Sequence, residues 1–202
     1  MISVFEYDDV IFAQGVAPFC GVDEAGRGPI AGPVYAAAVI LPRNVTLDGL
    51  ADSKKLTDKK REALFDKIKE AATAWFIATA SVKEIESINI LNAAMLAMHR
   101  AVCGLTTQPA LVLVDGNTSP QTNLPERLIV GGDNTSACIA AASVLAKVAR
   151  DRHMLELAEK FPQYGFEKHK GYGTKLHYSA LDEYGPCDIH RESFLKKWRA
   201  KG

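Results

Sequence analysis

Four carboxylates stand where apolar strands are predicted to end: Asp23 and Glu24 after FCGV, Asp115 after LVLV, and Asp133 after LIVGG. In an α/β sheet, ligands and chemistry collect at the strand ends. If these strands are neighbours, four negative charges converge in a small volume, and some would have to take up protons unless cations neutralise them. All-oxygen ligation suits Mg²⁺ or Mn²⁺ better than zinc, which favours Cys and His. Two such ions, about 3.5–4 Å apart, can activate a water and stabilise the leaving oxygen of a phosphodiester. Taken singly, an Asp after a strand is more often a turn or cap residue, and Asp133, just ahead of a helix, is the member most open to that reading. Four together, one pair adjacent, favour the metal.

The doublet opens directly onto Gly26-Arg-Gly-Pro-Ile-Ala-Gly-Pro33. Gly-Arg-Gly lets backbone N–H groups and a guanidinium approach a phosphate or a hydroxyl with no side chain in the way; the plainer role for Arg27 is an ion pair with Glu24. Neighbouring side chains on a strand point to opposite faces, so the chain is expected to bend at Asp23-Glu24, with Gly26 and Gly28 permitting it. The same residues fit G-x-G-x-x-A after a strand, with Asp48 about 20 residues on, as in a dinucleotide fingerprint. That motif must open a helix. Here Pro29 and Pro33 bracket the turn and a strand follows, so the fingerprint is rejected. No G-x-x-x-x-G-K-[ST] is present either.

The elements that would carry these residues alternate between strand and helix. FCGVD, PVYAAAVIL, AWFIATASV, ALVLVDG and RLIVGGD read as strands. Residues 57–72 form an amphipathic helix behind a Thr57 cap, with Leu64, Phe65, Ile68, Ala71 and Ala72 on one face. A second helix runs from Asn89 with Ile90, Leu91, Ala94, Met95, Met98, Val102 and Leu105 in a stripe, its methionines core filler. A third runs from Thr135 to about Phe161, and its small residues (ACIAAASVLA) let it lie close to the sheet. It carries Ser143, Lys147, Arg150 and Arg152; Lys147 could face a phosphate or simply solvent. Alternation of this kind argues for an α/β domain. A single domain over 1–202 is expected, with a core to about residue 161 and a basic, turn-rich helical extension over about 162–202.

Of the 202 residues, 48% are hydrophobic and 24% charged, which is ordinary globular composition. No apolar run approaches the ~20 residues of a membrane span, and the acidic start MISVFEYDD lacks the basic head of a secretory signal. Cytoplasm is the expected compartment, with no membrane partner. Cys20, Cys103, Cys138 and Cys187 lack paired spacing and read as reduced thiols. Net charge is zero, but it is unevenly spread: residues 1–146 hold 12 basic against 16 acidic residues, and residues 147–202 hold 12 against 8 with four of the five histidines. An acidic metal-binding part joined to a basic part suits a polyanion that is both gripped and cut. His169, His177 and His190 have no HExxH spacing and are assigned no metal.

Read in order, GVDEAGRGPIAGPVYAAAVIL, DSKKLTDKKRE, NILNAAMLAMHRAV, LVDGN, GGD followed by IAAASVLAKVARDRHM, and YGFEKHKGYGTKLH resemble the ribonuclease HII family, the bacterial type 2 ribonucleases H. The resemblance runs from about residue 18 to 195. It implies a ribonuclease H-like α/β fold: a mixed five-stranded sheet flanked by helices, with a C-terminal helical extension. It implies Mg²⁺- or Mn²⁺-dependent cleavage of RNA in RNA–DNA hybrids and 5′ of single ribonucleotides in duplex DNA, leaving 3′-hydroxyl and 5′-phosphate ends, by a monomer. Asp23, Glu24, Asp115 and Asp133 match the catalytic, metal-binding acids; Gly26, Arg27 and Gly28 match the loop sensing the 2′-hydroxyl; Tyr172 matches a tyrosine stacking near the RNA–DNA junction. Without the resemblance, Tyr172 reads as a half-buried tyrosine. One departure is visible: Cys187-Asp188 precedes Ile-His-Arg where proline is frequent, which bears on the tail's conformation. The rival readings are a nuclease of the same fold with another nucleic-acid preference, a non-catalytic hybrid-binding protein, which would lack at least one of the acids, and an oxidoreductase, which fails on the prolines.

Overall fold

The computed structural model describes residues 3–50 and 56–200. Residues 52–55 of the DSKKLTDKKRE stretch lie outside the described residues, as do the last two of the basic tail. Five strands, β1 (Phe19–Ala25), β2 (Val34–Ile40), β3 (Ala74–Ala80), β4 (Leu111–Asp115) and β5 (Glu126–Ile129), form one sheet in the order β3-β2-β1-β4-β5. β1 is antiparallel to β2 and parallel to β4; β2–β3 is antiparallel and β4–β5 parallel. The mixed sheet is the one expected.

Seven α-helices accompany it among the described residues: α1 (Val4–Ala13), α2 (Asp58–Ala71), α3 (Val82–Cys103), α4 (Ala137–Lys160), α5 (Phe166–His169), α6 (Lys175–Tyr184) and α7 (Lys196–Arg199). Alternation along the strands divides the core. Phe19, Ala37, Val39, Leu111 and Leu113 pack with α1, α2 and α4 on one face. Cys20, Val22, Ala36, Ala38, Val112 and Val114 pack with α3 on the other. Both faces of β1 and β4 are covered, which is why FCGV and LVLV are continuously apolar.

Helix α4 lies as close to the sheet as its small residues allow. A Cβ on Gly21 would stand 2.2 Å from the Cys138 carbonyl carbon and the Ile139 nitrogen, so only glycine admits the helix backbone there. The N-terminus of α4 is met by buried Asp8 of α1, whose Oδ2 accepts from the Cys138 N–H at 2.9 Å. A carboxylate at that end suits the helix dipole.

Thr57 caps α2 as expected, accepting from the Lys60 N–H. Two helix starts were not read from the sequence. α1 opens on Ser3 with Glu6, and α3 on Ser81 with Glu84, both complete capping boxes. The helix expected from Asn89 is the second segment of α3: Asn89 has φ 66° and its Oδ1 accepts from the Asn92 N–H at 3.1 Å, recapping the chain after a kink. β3 ends at Ala80 because Ser81 begins that cap. β5 is shorter than RLIVGGD suggested; it stops at Ile129, and Asp133 sits in a 3₁₀ turn over Gly132–Asn134.

Beyond α4, Tyr164, Phe166, Leu181 and Leu195 build a third apolar cluster against Met154 and Leu157 of α4 and against Ile30 and Ala31 of the loop after β1. The tail is thus anchored to the glycine loop itself. Among the described residues no helix is long and apolar enough to cross a membrane.

Candidate active site

Parallel register places the first two acids. Val22 pairs with Val114, so the next residue on each strand is an acid, Asp23 beside Asp115. The expected bend at the doublet is not found: β1 stays paired to β2 through Asp23↔Ala37, Glu24↔Ala36 and Ala25↔Tyr35, and the turn comes after it, at Gly26 with φ 102°. Small Ala36 and Ala37 opposite the doublet leave room for both carboxylates at the end of an intact ladder. No helix opens in the Gly26–Pro33 loop; Val34 starts β2, as the rejection of the dinucleotide motif requires.

Asp23 is buried under α4. Its Oδ1 accepts from the Glu24 N–H at 2.7 Å, and Ser143 of α4 hydrogen-bonds its carboxyl. Burial first, then the charge of Glu24 and that of Asp115, hold the Asp23 carboxyl well above the usual carboxylate range, against the pull of Ser143. Burial also raises Glu24, opposed by Arg27, whose Nη1 donates to Glu24 Oε1 at 3.1 Å. The ion pair considered for Arg27 is therefore present, on a side chain 49% exposed. Asp115 Oδ1 accepts from the Gly132 N–H at 2.6 Å, which ties the end of β4 to the turn carrying Asp133. A Cβ on Gly132 would lie 2.6 Å from Ile139 Cδ1, so glycine is needed for that approach. Asp133 is buried and accepts from its neighbour Asn134 Nδ2 at 2.9 Å.

Among the described residues no three His, Cys, Asp or Glu side chains stand in ready coordination geometry. The residues nevertheless fit a hard divalent ion. The donors are carboxylate oxygens, and Asp23, Glu24 and Asp115 oppose one another's ionisation, a repulsion that a cation relieves.

A cleft of about 350 Å³ opens beside Glu24, walled by Gly26, Ser143, Lys147, Arg150 and Tyr172, with Arg61 of α2 across from them. Tyr172 is 45% exposed at its rim, and its ring lies 3.4 Å from where a Cβ on Gly28 would be. Lys147 donates to Asp151 at 2.7 Å one helical turn on, so its charge is already paired. Arg61 was missed; it follows the Thr57 cap, where a cation reads as ordinary helix surface, and it is held by Asp58 and the Leu56 carbonyl.

Two buried arginines set the loop's shape. Arg191 donates to four carbonyls: Nη2 to Gly26 at 2.7 Å, Nη1 to Arg27 at 3.1 Å and Pro29 at 2.7 Å, and Nε to Gly32 at 2.9 Å. Arg150 donates to Ala31, Pro33 and Lys170, and its side chain fills the space a Cβ on Gly26 would take, 2.2 Å from Nε. Burial, then the charge of Arg150, lowers Arg191 to about 9. Arg191 was not singled out from the sequence. It lies 159 to 165 residues beyond the carbonyls it holds, and nothing local signals a carbonyl partner at that range.

The ribonuclease HII family model matches residues 20–197. The chain is 52% identical over 194 residues to ribonuclease HII of Caldicellulosiruptor saccharolyticus, covering 96% of this chain and 95% of that one. It is 59% identical over 175 residues to ribonuclease HII of Idiomarina loihiensis, covering 87% and 94%. In fold it resembles the crystal structure of ribonuclease H2 from Pyrococcus horikoshii, with a TM-score of 0.75 at 24% identity over 91% of this chain and 99% of that one. It also resembles Bst-RNase HIII in complex with Mn²⁺, with a TM-score of 0.71 at 15% identity over 91% and 69%. Sequence, sheet order and match length agree: the chain belongs to the ribonuclease HII family, type 2 ribonuclease H enzymes that cut the RNA strand of RNA–DNA hybrids.

Proposed function

We propose that this enzyme cuts the RNA strand of hybrids and also the bond 5′ of a single ribonucleotide embedded in duplex DNA, leaving 3′-hydroxyl and 5′-phosphate ends. The observation that carries the reading is the mutually repelling set Asp23, Glu24 and Asp115 at adjoining strand ends, opening onto a cleft edged by Gly26 and Tyr172.

Asp23, Glu24, Asp115 and Asp133 would hold divalent ions, Mg²⁺ or Mn²⁺; the Mn²⁺ named for Bst-RNase HIII is consistent with this. Two bound ions would supply an activated water and charge stabilisation at the leaving oxygen. The chain's own part is orientation. Ser143 fixes the Asp23 carboxyl. Arg191 occupies the carbonyls of Gly26, Arg27, Pro29 and Gly32, which leaves the N–H side of the Gly26–Gly28 turn for the substrate sugar and phosphate. The 2′-hydroxyl is the group by which a protein distinguishes a ribonucleotide from its deoxy neighbours. Glycines at 26 and 28 let the backbone reach it, while Tyr172 at the rim offers a ring for stacking on the adjacent sugar or base. Arg27, paired with Glu24, and Lys147, paired with Asp151, would be the cations at the cleft to meet the phosphates once those pairs open. The basic segment from residue 162 onward would follow the duplex. The enzyme would work as a monomer in the cytoplasm. The solved PCNA:RNase HII complex from Archaeoglobus fulgidus makes a protein of the PCNA kind a partner to test.

The test is a labelled duplex with one ribonucleotide, incubated with Mg²⁺, Mn²⁺ or EDTA beside an all-DNA duplex and a long hybrid. Cutting 5′ of the ribonucleotide, abolished by EDTA, supports the reading. Cutting of the hybrid alone removes the junction-sensing roles of Arg27 and Tyr172.

A further inference from the structure

Under the Tyr172 edge of the cleft lie three histidines that the acid chemistry does not use. His169, His177 and His190 are 8%, 0% and 3% exposed. The rings of His169 and His177 stack at 4.4 Å, and His177 Nε2 meets His190 Nε2 at 3.0 Å. Two nitrogens at that distance form a hydrogen bond only if one ring carries the proton there and the other does not.

Both ends of the contact specify which. At one end, His190 Nδ1 faces two groups of Cys187: the backbone N–H at 2.9 Å, which can only donate, and the carbonyl at 3.3 Å, which already accepts from the His190 backbone N–H at 2.9 Å. The shorter N–H contact leaves Nδ1 bare and puts the His190 proton on Nε2. At the other end, His177 Nδ1 faces the Tyr172 carbonyl at 2.9 Å, which can only accept, so the His177 proton is on Nδ1 and its Nε2 is bare. The two assignments are independent and agree at the centre: His190 Nε2–H donates to His177 Nε2. His169 obeys the same logic separately, accepting from the Gly171 N–H at 3.2 Å and facing the Tyr164 carbonyl at 2.9 Å.

We propose that His177 and His190 are positioning residues: a neutral, one-directional hydrogen-bond relay from the Cys187 amide to the Tyr172 carbonyl that sets Tyr172 against the Gly26–Gly28 loop. The relay joins the two sides of the recognition edge. The residue after His190 is Arg191, which grips the loop's carbonyls, and Ala31 bridges to His190 directly. The Tyr172 N–H in turn donates to the His169 carbonyl. A proton added to either ring would put two N–H groups nose to nose at the centre, or face a second donor at Nδ1 of His190. Among the described residues, the titratable groups facing the pair are His169 stacked on His177, the Cys187 thiol 3.2 Å from His190 Nδ1, and Tyr164, whose ring edge meets His190; apolar Phe166 closes the remaining side. None of these is an anion that would favour a cationic ring, and both rings titrate low, at about 4, through burial first.

The consequence for selectivity rests on the proposed role of Tyr172, so the test separates the two. ¹⁵N NMR of the histidine rings reads the relay without substrate: His177 in its Nδ1–H form, His190 in its Nε2–H form, and a nitrogen–nitrogen coupling across the shared proton. Either ring in the opposite tautomer, or cationic at pH 7, overturns the proposal. Two variants read its effect. His177→Asn keeps a donor near the Nδ1 position toward Tyr172; His177→Gln moves the amide to the Nε2 position and drops that bond. The ratio of single-ribonucleotide cutting to long-hybrid cutting should stay near wild type in His177→Asn and fall about tenfold in His177→Gln, the effect of one lost hydrogen bond. Equal ratios in the two variants would defeat the positioning role, provided wild type cuts the single-ribonucleotide duplex. If wild type does not, the reading of Tyr172 fails while the NMR result still decides the relay.

Discussion

The two walls of the cleft are built on opposite principles. At the sheet end, Asp23, Glu24 and Asp115 sit on regular, fully paired strands and their charges conflict. On the other wall, Arg150 stands on α4, while Arg191 and the three histidines lie on the tail's short helices and the turns between them, and their donors and acceptors are matched to carbonyls and to one another. The first wall keeps a rigid frame and leaves the electrostatics unfinished, to be completed by a ligand. The second satisfies its electrostatics so that an otherwise floppy glycine loop has one shape. Acid acts on them in opposite senses, relieving the repulsion between carboxylates and charging rings that are buried neutral. Sites that act on a ligand commonly retain such local conflict at a cost in stability, and here the conflict among the carboxylates has no hydrogen-bond compensation like that given to the neighbouring cations Arg150 and Arg191.

Substitution should separate the walls sharply. Asp23→Asn is expected to lower hybrid cleavage at least about 10³-fold, as loss of a metal-binding acid does, with no fall in melting temperature, because a repelling charge is gone. In wild type, millimolar Mn²⁺ should raise the melting temperature, and in Asp23→Asn that rise should shrink. A variant that unfolds early instead would mean that the acid wall is structurally satisfied after all.

Arg191→Ala inverts the pattern. Four carbonyls, those of Pro29 and Gly32 buried, lose their donor, so the chain should lose about 3 kcal/mol in denaturant unfolding, with cleavage falling as the loop loosens. Arg191→Lys should recover only part of this, since an ammonium lacks the planar fork that reaches all four.

Acid should tell the walls apart as well. His177 and His190 titrate at about 4 in the folded chain against an ordinary 6.5. Above pH 6.5 both states are neutral and the rings contribute no pH dependence. As pH falls from 6.5 to 4 the unfolded chain takes up protons that the native state refuses, and stability drops by up to about 1.4 kcal/mol per pH unit for each ring. Unfolding followed between pH 7.5 and pH 5 should therefore be steeper in wild type than in His177→Asn.

The smallest effect belongs to the rim. Lys147→Ala removes a half-exposed ion pair with Asp151, worth under about 1 kcal/mol to stability. If Lys147 serves the substrate, the salt dependence of duplex binding should flatten by about one charge. An unchanged slope would assign it to the helix surface.

The acid wall was largely legible beforehand because its information is local. FCGVDE and LVLVD each announce a buried strand and the charge at its end, and the crowded alanines of α4 announce a close helix. The kink at Asn89 and the capping boxes at Ser3 and Ser81 were equally local and were passed over, although S-x-x-E signals a helix start. The intact ladder through Glu24 was misjudged for a different reason. The alternation rule is sound, but whether two opposed side chains can still act on one another depends on what lies across from them, and small Ala36 and Ala37 of β2 make the room.

By itself, the sequence determined the strands, their terminal carboxylates and the glycines that admit close approach, which follow from residue type and spacing along a few turns of chain; the family came from the resemblance of its motifs read in order. Tertiary structure alone decided the other wall. Arg191 meets carbonyls more than 150 residues away, and His177 and His190 acquire a direction only when a particular amide and a particular carbonyl close the two ends of their contact. An arginine or a neutral imidazole carries no mark of its partner. Its role is set by which unpaired backbone group the fold brings within hydrogen-bond reach, because a buried polar group must find one.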